Sequence, residues 1–115
     1  MKKWKSKKFN IFGDIWTIMF IDKVTEDRGP EDPEHWLFGM TDHINKRIAV
    51  STKNIEGKAL SDREVLTTLA HECVHAILGS GCYNNCNNDE PLVEFLGKGI
   101  LSLLKYKVFD YEESI

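Results

Sequence analysis

The sequence predicts an α+β domain. Segments rich in β-branched and aromatic residues fill the first half of the chain. Two segments with helical periodicity fill the second, and a capping box marks the border between them. A chain of 115 residues suffices for one modest core, so a single domain over residues 1–115 is expected.

Residues 9–24 (FNIFGDIWTIMFIDKV) have strand composition, with a break or bulge expected near Gly13. Residues 25–35 hold Gly29, Pro30 and Pro33 among charges and read as a loop. Trp36 to Met40 reads as a second short strand, Asn45-Lys46-Arg47 as a turn, Ile48 to Thr52 as a third strand and Asn54 to Lys58 as a loop. The expected sheet is small, antiparallel or mixed, of about three strands. In Ser61-Asp62-Arg63-Glu64 the Ser61 hydroxyl can accept from the Glu64 amide while the Glu64 side chain reaches back. A helix should follow to about Leu78 and stop at Gly79-Ser80-Gly81. After the Asn-rich loop 82–89, Pro91 suits the first turn of a second, C-terminal helix, whose Leu92, Val93, Phe95, Leu96, Ile100, Leu103 and Leu104 recur at helical spacing.

Apolar residues make up 42% of the chain and charged residues 29%, a composition that excludes a disordered chain. The net charge of −3 gives no global argument for nucleic acid binding. Locally, Lys2, Lys3, Lys5, Lys7 and Lys8 make a basic arm of residues 1–8, and Asp110, Glu112 and Glu113 an acidic tail of residues 110–115. Two solvated termini are the plain reading; a basic arm touching nucleic acid or an acidic surface is the sharper one. No run is long enough to cross a bilayer and no secretory signal is visible, so no membrane partner is expected. Cys73, Cys82 and Cys86 then read as free thiols in a cytoplasmic setting.

The chemistry concentrates in His71-Glu72-Cys73-Val74-His75, an H-E-x-x-H motif on the first helix. Histidines four residues apart share one helical face, so their imidazoles can converge on one metal ion. Glu72 is turned by about 100° from His71 and can act on a water as general base. Leu66, Leu69, Ala70, Cys73 and Ile77 read as the buried stripe of this helix, with both histidines pointing away from it. Catalytic zinc uses three protein ligands and leaves a fourth place for water. Glu90 and Glu94, at i and i+4 on the second helix, supply the third candidate. Glu90 is preferred as ligand, with Glu94 accepting the other N–H of a ligand histidine or serving as the alternative ligand. Gly97 continues their stripe and would let the two helices approach closely. His35, His43 and Tyr83 are candidates for stabilising a developing oxyanion. Cys82 and Cys86 form a C-x-x-x-C pair with too few neighbours for a closed structural zinc site.

The segments LTTLAHECVHAIL (66–78) and DEPLVEF (89–95) resemble the zincin metallopeptidases of the gluzincin type. More narrowly, they are similar to small phage-type and ImmA/IrrE- or SprT-like H-E-x-x-H proteins. The resemblance covers roughly residues 36–105. It implies a zinc metallopeptidase acting on a peptide or protein substrate, in the host cytoplasm if phage-encoded. A Glu on the following helix is the third ligand of gluzincins, which fits Asp89-Glu90 followed by Glu94. Pro91 keeps Glu94 open as the alternative, since it could place Glu90 at the helix cap. The resemblance further implies an edge strand that pairs with extended substrate, for which Ile48, Ala49, Val50, Ser51 and Thr52 are the candidates. A zincin fold retained as a regulatory or binding module, associated with nucleic acid or with a DNA-bound partner, is the rival reading.

Overall fold

In the computed structural model, which describes residues 3–105, the strand-like stretch at the start of the chain breaks at Phe12-Gly13. The two halves are β1 (Lys7–Ile11) and β2 (Asp14–Ile21). Phe12 and Gly13 have φ of 51° and 91°. Two consecutive positive φ values make a hairpin turn whose twist matches that of its strands. The Asn10 side chain accepts from the Gly13 amide at 2.7 Å. The basic arm expected over residues 1–8 needs correction as far as it is described. Lys7 and Lys8 belong to β1 and pair with Ile18 and Thr17 of β2, Trp4 stacks on Phe20, and Lys3 pairs with Asp62 at 2.6 Å. Ladder pairing and ring packing hold this segment to the sheet. The acidic tail 110–115 lies outside the described residues.

The stretch 25–35 is not a loop throughout. It starts in β3 (Val24–Glu26) and ends in β4 (His35–Leu37), which pair antiparallel as a separate ribbon. The strand expected over Trp36 to Met40 splits at Phe38 between β4 and β5 (Gly39–Asp42). The turn before β6 (Arg47–Ser51) is set by the Asp42 carboxylate, which accepts from the amides of Ile44 and Asn45. The main sheet runs β1-β2-β6-β5, with β2 and β6 parallel and the other neighbours antiparallel. It is therefore mixed and has four strands, one more than expected, because the first segment folds into two.

This order overturns the substrate-strand assignment. Ile48, Ala49, Val50 and Ser51 lie in β6, an interior strand paired on both sides, and Ile48, Val50 and Ser51 are fully buried. Their main-chain groups are committed to β2 and β5. The edge on this side of the sheet is β5.

One face of the sheet, formed by Ile11, Trp16, Ile18, Ile48 and Val50, packs against Val65 and Ala76 of α1 (Asp62–Ser80). The capping box forms: Ser61 Oγ accepts from the Glu64 amide at 3.2 Å and the Glu64 carboxylate from the Ser61 amide at 3.2 Å. Such a cap contributes about 1 kcal/mol. Gly79 and Ser80 remain helical, and Gly81 closes the helix through its amide on the Ile77 carbonyl. The expected apolar stripe of α1 holds at Leu69, Ala70 and Cys73, which lie in or against the core, and is corrected at its two ends. Val65, Thr68, Ala70, Glu72, Val74 and Ala76 are buried, whereas Leu66 and Ile77 face outward. The helix is covered from two sides, by the sheet and by the antiparallel α3 (Glu90–Lys105), so small residues carry much of its packing. Within the Asn-rich loop, Asn84–Asn87 forms the one-turn α2. No helix among the described residues is long and apolar enough to cross a membrane.

Gly97 marks the closest approach of α3 to α1. A Cβ there would lie 3.1 Å from the His71 backbone nitrogen and 3.2 Å from its Cα. Backbone cannot rotate away as a side chain can. Gly97→Val is therefore expected to destabilise the fold by about 1–3 kcal/mol through overpacking. Gly99, two residues on, has nothing within 4 Å of such a Cβ, and Gly99→Ala is expected to stabilise by about 0.5–1 kcal/mol. Urea midpoints of the two variants test this; shifts of equal sign would remove the close approach as the cause.

Candidate metal centre

His71 and His75 lie one turn apart on α1, with ring centroids 4.9 Å apart. Their shared face is covered by the first turn of α3. Asp89 starts that turn: its side chain accepts from the Leu92 amide at 3.1 Å and its carbonyl from the Val93 amide. Pro91, which has no amide hydrogen, fits inside the turn, and Glu90 is its first helical residue.

That placement separates the two glutamates. The Glu90 carboxylate spans both imidazoles, with one oxygen 3.0 Å from His71 Nε2 and the other 3.1 Å from His75 Nε2. Glu94 meets only His71, at Nδ1, 2.8 Å away. On the other imidazole, His75 Nδ1 lies 2.6 Å from Asn87 Oδ1 of α2. Carboxylate and amide oxygens only accept, so in each pair Nδ1 carries the hydrogen and donates. In the neutral imidazole with its hydrogen on Nδ1, Nε2 is the nitrogen whose lone pair can bind a cation. His71, His75 and Glu90 offer three ligand atoms within 4.8 Å of one another and can hold a metal ion. Among the described residues no second such group exists, and Cys73, Cys82 and Cys86 are free. Burial pushes the Cys73 thiol up to about 11, which keeps it protonated and inert near neutral pH.

Glu72 points from the same helix toward the sheet and is only 7% exposed. Its carboxylate accepts from Thr41 Oγ1 of β5 at 2.8 Å. Burial holds this carboxyl above the usual range, and the Thr41 hydrogen bond draws it partly back. The strand comes this near because residue 39 is glycine: a Cβ there would lie 2.7 Å from Thr68 Cγ2 and 3.0 Å from Glu72 Cγ. Beside Glu72 an open cleft of about 820 Å³ runs between β5 and α3, with the α1 face from Arg63 to Glu72 as its floor.

Of the three residues considered for an oxyanion, His35 pairs with Asp32 at 2.8 Å and Tyr83 is exposed beside Gly81. His43 alone adjoins the metal-side face of α1. Its ring meets Trp16 edge-on at 5.8 Å and fills the place of a side chain at Gly79, one turn past His75. Partial burial, and then the charge of His75, push its imidazole below the ordinary histidine range.

Two polar partners escaped the sequence. Asn87 is one of four asparagines within residues 84–88, and nothing local distinguishes it. Thr41 lies just past the stretch Trp36 to Met40 read as strand, and its tie to Glu72 joins residues 31 apart. Comparison with protein-family models, curated proteins and solved structures finds no match for this chain.

Proposed function

We propose that this protein is a zinc-dependent peptidase, with zinc held by His71, His75 and Glu90 and with Glu72 as the general base. The observation that carries this reading is the division of the imidazole nitrogens. Both Nε2 atoms converge on one carboxylate while both Nδ1 atoms are held by acceptors. Two imidazoles and a carboxylate, with a fourth position left over, are the donor set of catalytic zinc. Tetrahedral ligands at the usual zinc distances are separated by about 3.3 Å, and one ligand atom from each of the three residues lies within 4.8 Å of the others, so a short closure around an ion completes the set. The resemblance to small gluzincins points the same way.

A zinc ion supplies Lewis acidity toward a carbonyl oxygen and makes a water easier to deprotonate. Glu72 takes that proton and returns it to the leaving amine. Thr41 orients the Glu72 carboxylate. Glu94 and Asn87 fix the two imidazoles, which keeps the donor atoms aimed before any ion arrives. Substrate main chain pairs with the edge of β5, Gly39–Asp42, which β6 covers on one side only.

Metal analysis combined with cleavage of a peptide library tests the reading. One zinc per chain is expected, with cleavage lost on chelation and restored by zinc. Stoichiometric zinc without cleavage of any peptide would leave a metal-binding module, the rival reading.

A further inference from the structure

The cleft beside Glu72 has a direction and an uneven lining. Its floor follows α1 from His71 back to Arg63, eight residues and so about 12 Å. An extended peptide covers that length in three to four residues. Between the site and Arg63 the walls carry Leu37 and the half-exposed Phe38 on the sheet side and Leu101 on α3, where Glu94 and Lys98 lie nearer the site. The charges on the lining are mostly spoken for. Glu64 is held by the capping box, Glu72 by Thr41, and Glu94 by His71 and Lys98.

Arg63 differs from these. It lies in the first turn of α1, where the helix dipole disfavours a cation and favours an acid. Of the two cations on the cleft lining, Lys98 pairs with Glu94, while Arg63 has no acidic partner among the described residues. A guanidinium lining the cleft, placed against the dipole and without an ion pair among the described residues, suits a carboxylate brought by a ligand, which it can bind through two parallel hydrogen bonds.

We infer that the cleft selects peptides carrying a carboxylate three or four residues from the scissile bond, bound by Arg63, with an apolar residue between that carboxylate and the cut. The inference rests on the peptidase reading for the word scissile, but not for the binding preference. The carboxylate is an Asp or Glu side chain or the free C-terminus of the peptide.

Cleavage of a proteome-derived peptide library by the zinc-loaded full-length protein, with cut sites mapped by mass spectrometry, tests it. Asp, Glu or the chain end should be enriched severalfold at the third or fourth residue to one side of the cut. Repeating the digest on synthetic peptides made as C-terminal amides, with Asp and Glu side chains free, separates the two sources: enrichment that disappears came from chain ends, and enrichment that persists came from side chains. In Arg63→Glu the preference should reverse toward Lys and Arg, with the ratio of kcat/KM for acidic over amide peptides falling tenfold or more. Arg63 is exposed, so this variant keeps the fold, which circular dichroism checks. Binding is read separately, by fluorescence anisotropy of zinc-loaded Glu72→Gln with two pairs of labelled peptide pools, one differing only in Glu against Gln and the other only in a free against an amidated C-terminus. Carboxylate-dependent binding that is lost on adding Arg63→Glu, in a protein that cleaves nothing, would sustain the cleft and remove the peptidase. Equal binding both of the Glu and Gln pools and of the free-acid and amide pools, or a cleavage preference untouched by Arg63→Glu, overturns the inference.

Discussion

Glu72→Gln is expected to bind zinc as the parent does and to hydrolyse peptides about 10²–10⁴-fold more slowly, the usual contribution of a positioned general base. The substitution preserves shape. Thr41 Oγ1, which donates to Glu72 at 2.8 Å, can donate equally to an amide oxygen. His71, His75 and Glu90 are untouched. What disappears is the lone pair that accepts a proton. Nor should the fold suffer, because burial already disfavours the charged form of Glu72 and a neutral amide escapes that penalty. Zinc content and kcat measured on one preparation check the expectation. Full activity in Glu72→Gln would remove Glu72 from the chemistry. Thr41→Val should lower kcat in the same direction by less, with zinc retained, and Thr41→Ser should restore it. A purely packing role for Thr41 would favour Val, which matches its shape, over Ser.

The parts of the site legible in the sequence are those written in local spacing. The capping box joins residues three apart and H-E-x-x-H joins residues four apart, so helix geometry alone fixes what each can reach. Gly97 was legible because a glycine on a helical stripe has a short list of purposes, and close approach to α1 is the one it serves. Distance in the chain hides the rest. Glu90 and Glu94 are equivalent on an isolated helix; the way α3 seats Gly97 against His71 aims one at both Nε2 atoms and the other at a single Nδ1. The alternation of Ile48 and Val50 reads the same in an edge strand and an interior one. Only the parallel pairing with β2 across residues 22–46 makes β6 interior, and with it moves the available edge to β5. The stripe on α1 was misread for a related reason. A helix covered on two sides buries residues beyond one stripe, Val74 and Ala76 among them, and can leave Leu66 and Ile77 outside.

Zinc should also act as a structural tie, and its removal should be visible without any substrate. Two donors sit on α1 and the third on α3, 15 residues beyond His75, so an ion held by all three bridges two helices that an unfolded chain would not bring together. At a free zinc concentration about a hundredfold above the dissociation constant, the native state gains about 2.7 kcal/mol. In a domain of this size that raises the melting midpoint by about 10 °C. His71→Ala is expected to lose this increment while melting, without metal, close to the metal-free parent. The Glu94 carboxylate it leaves behind is 41% exposed and can turn to water. Glu90→Ala should lose the increment as well. Glu94→Gln should retain it at higher zinc, with affinity reduced about 10–100-fold, the usual cost of disturbing a group that orients a ligand histidine. Melting curves of the four proteins with and without zinc decide the matter. A full increment in His71→Ala would take His71 out of the site, and a larger loss in Glu94→Gln than in Glu90→Ala would exchange the roles of the two glutamates.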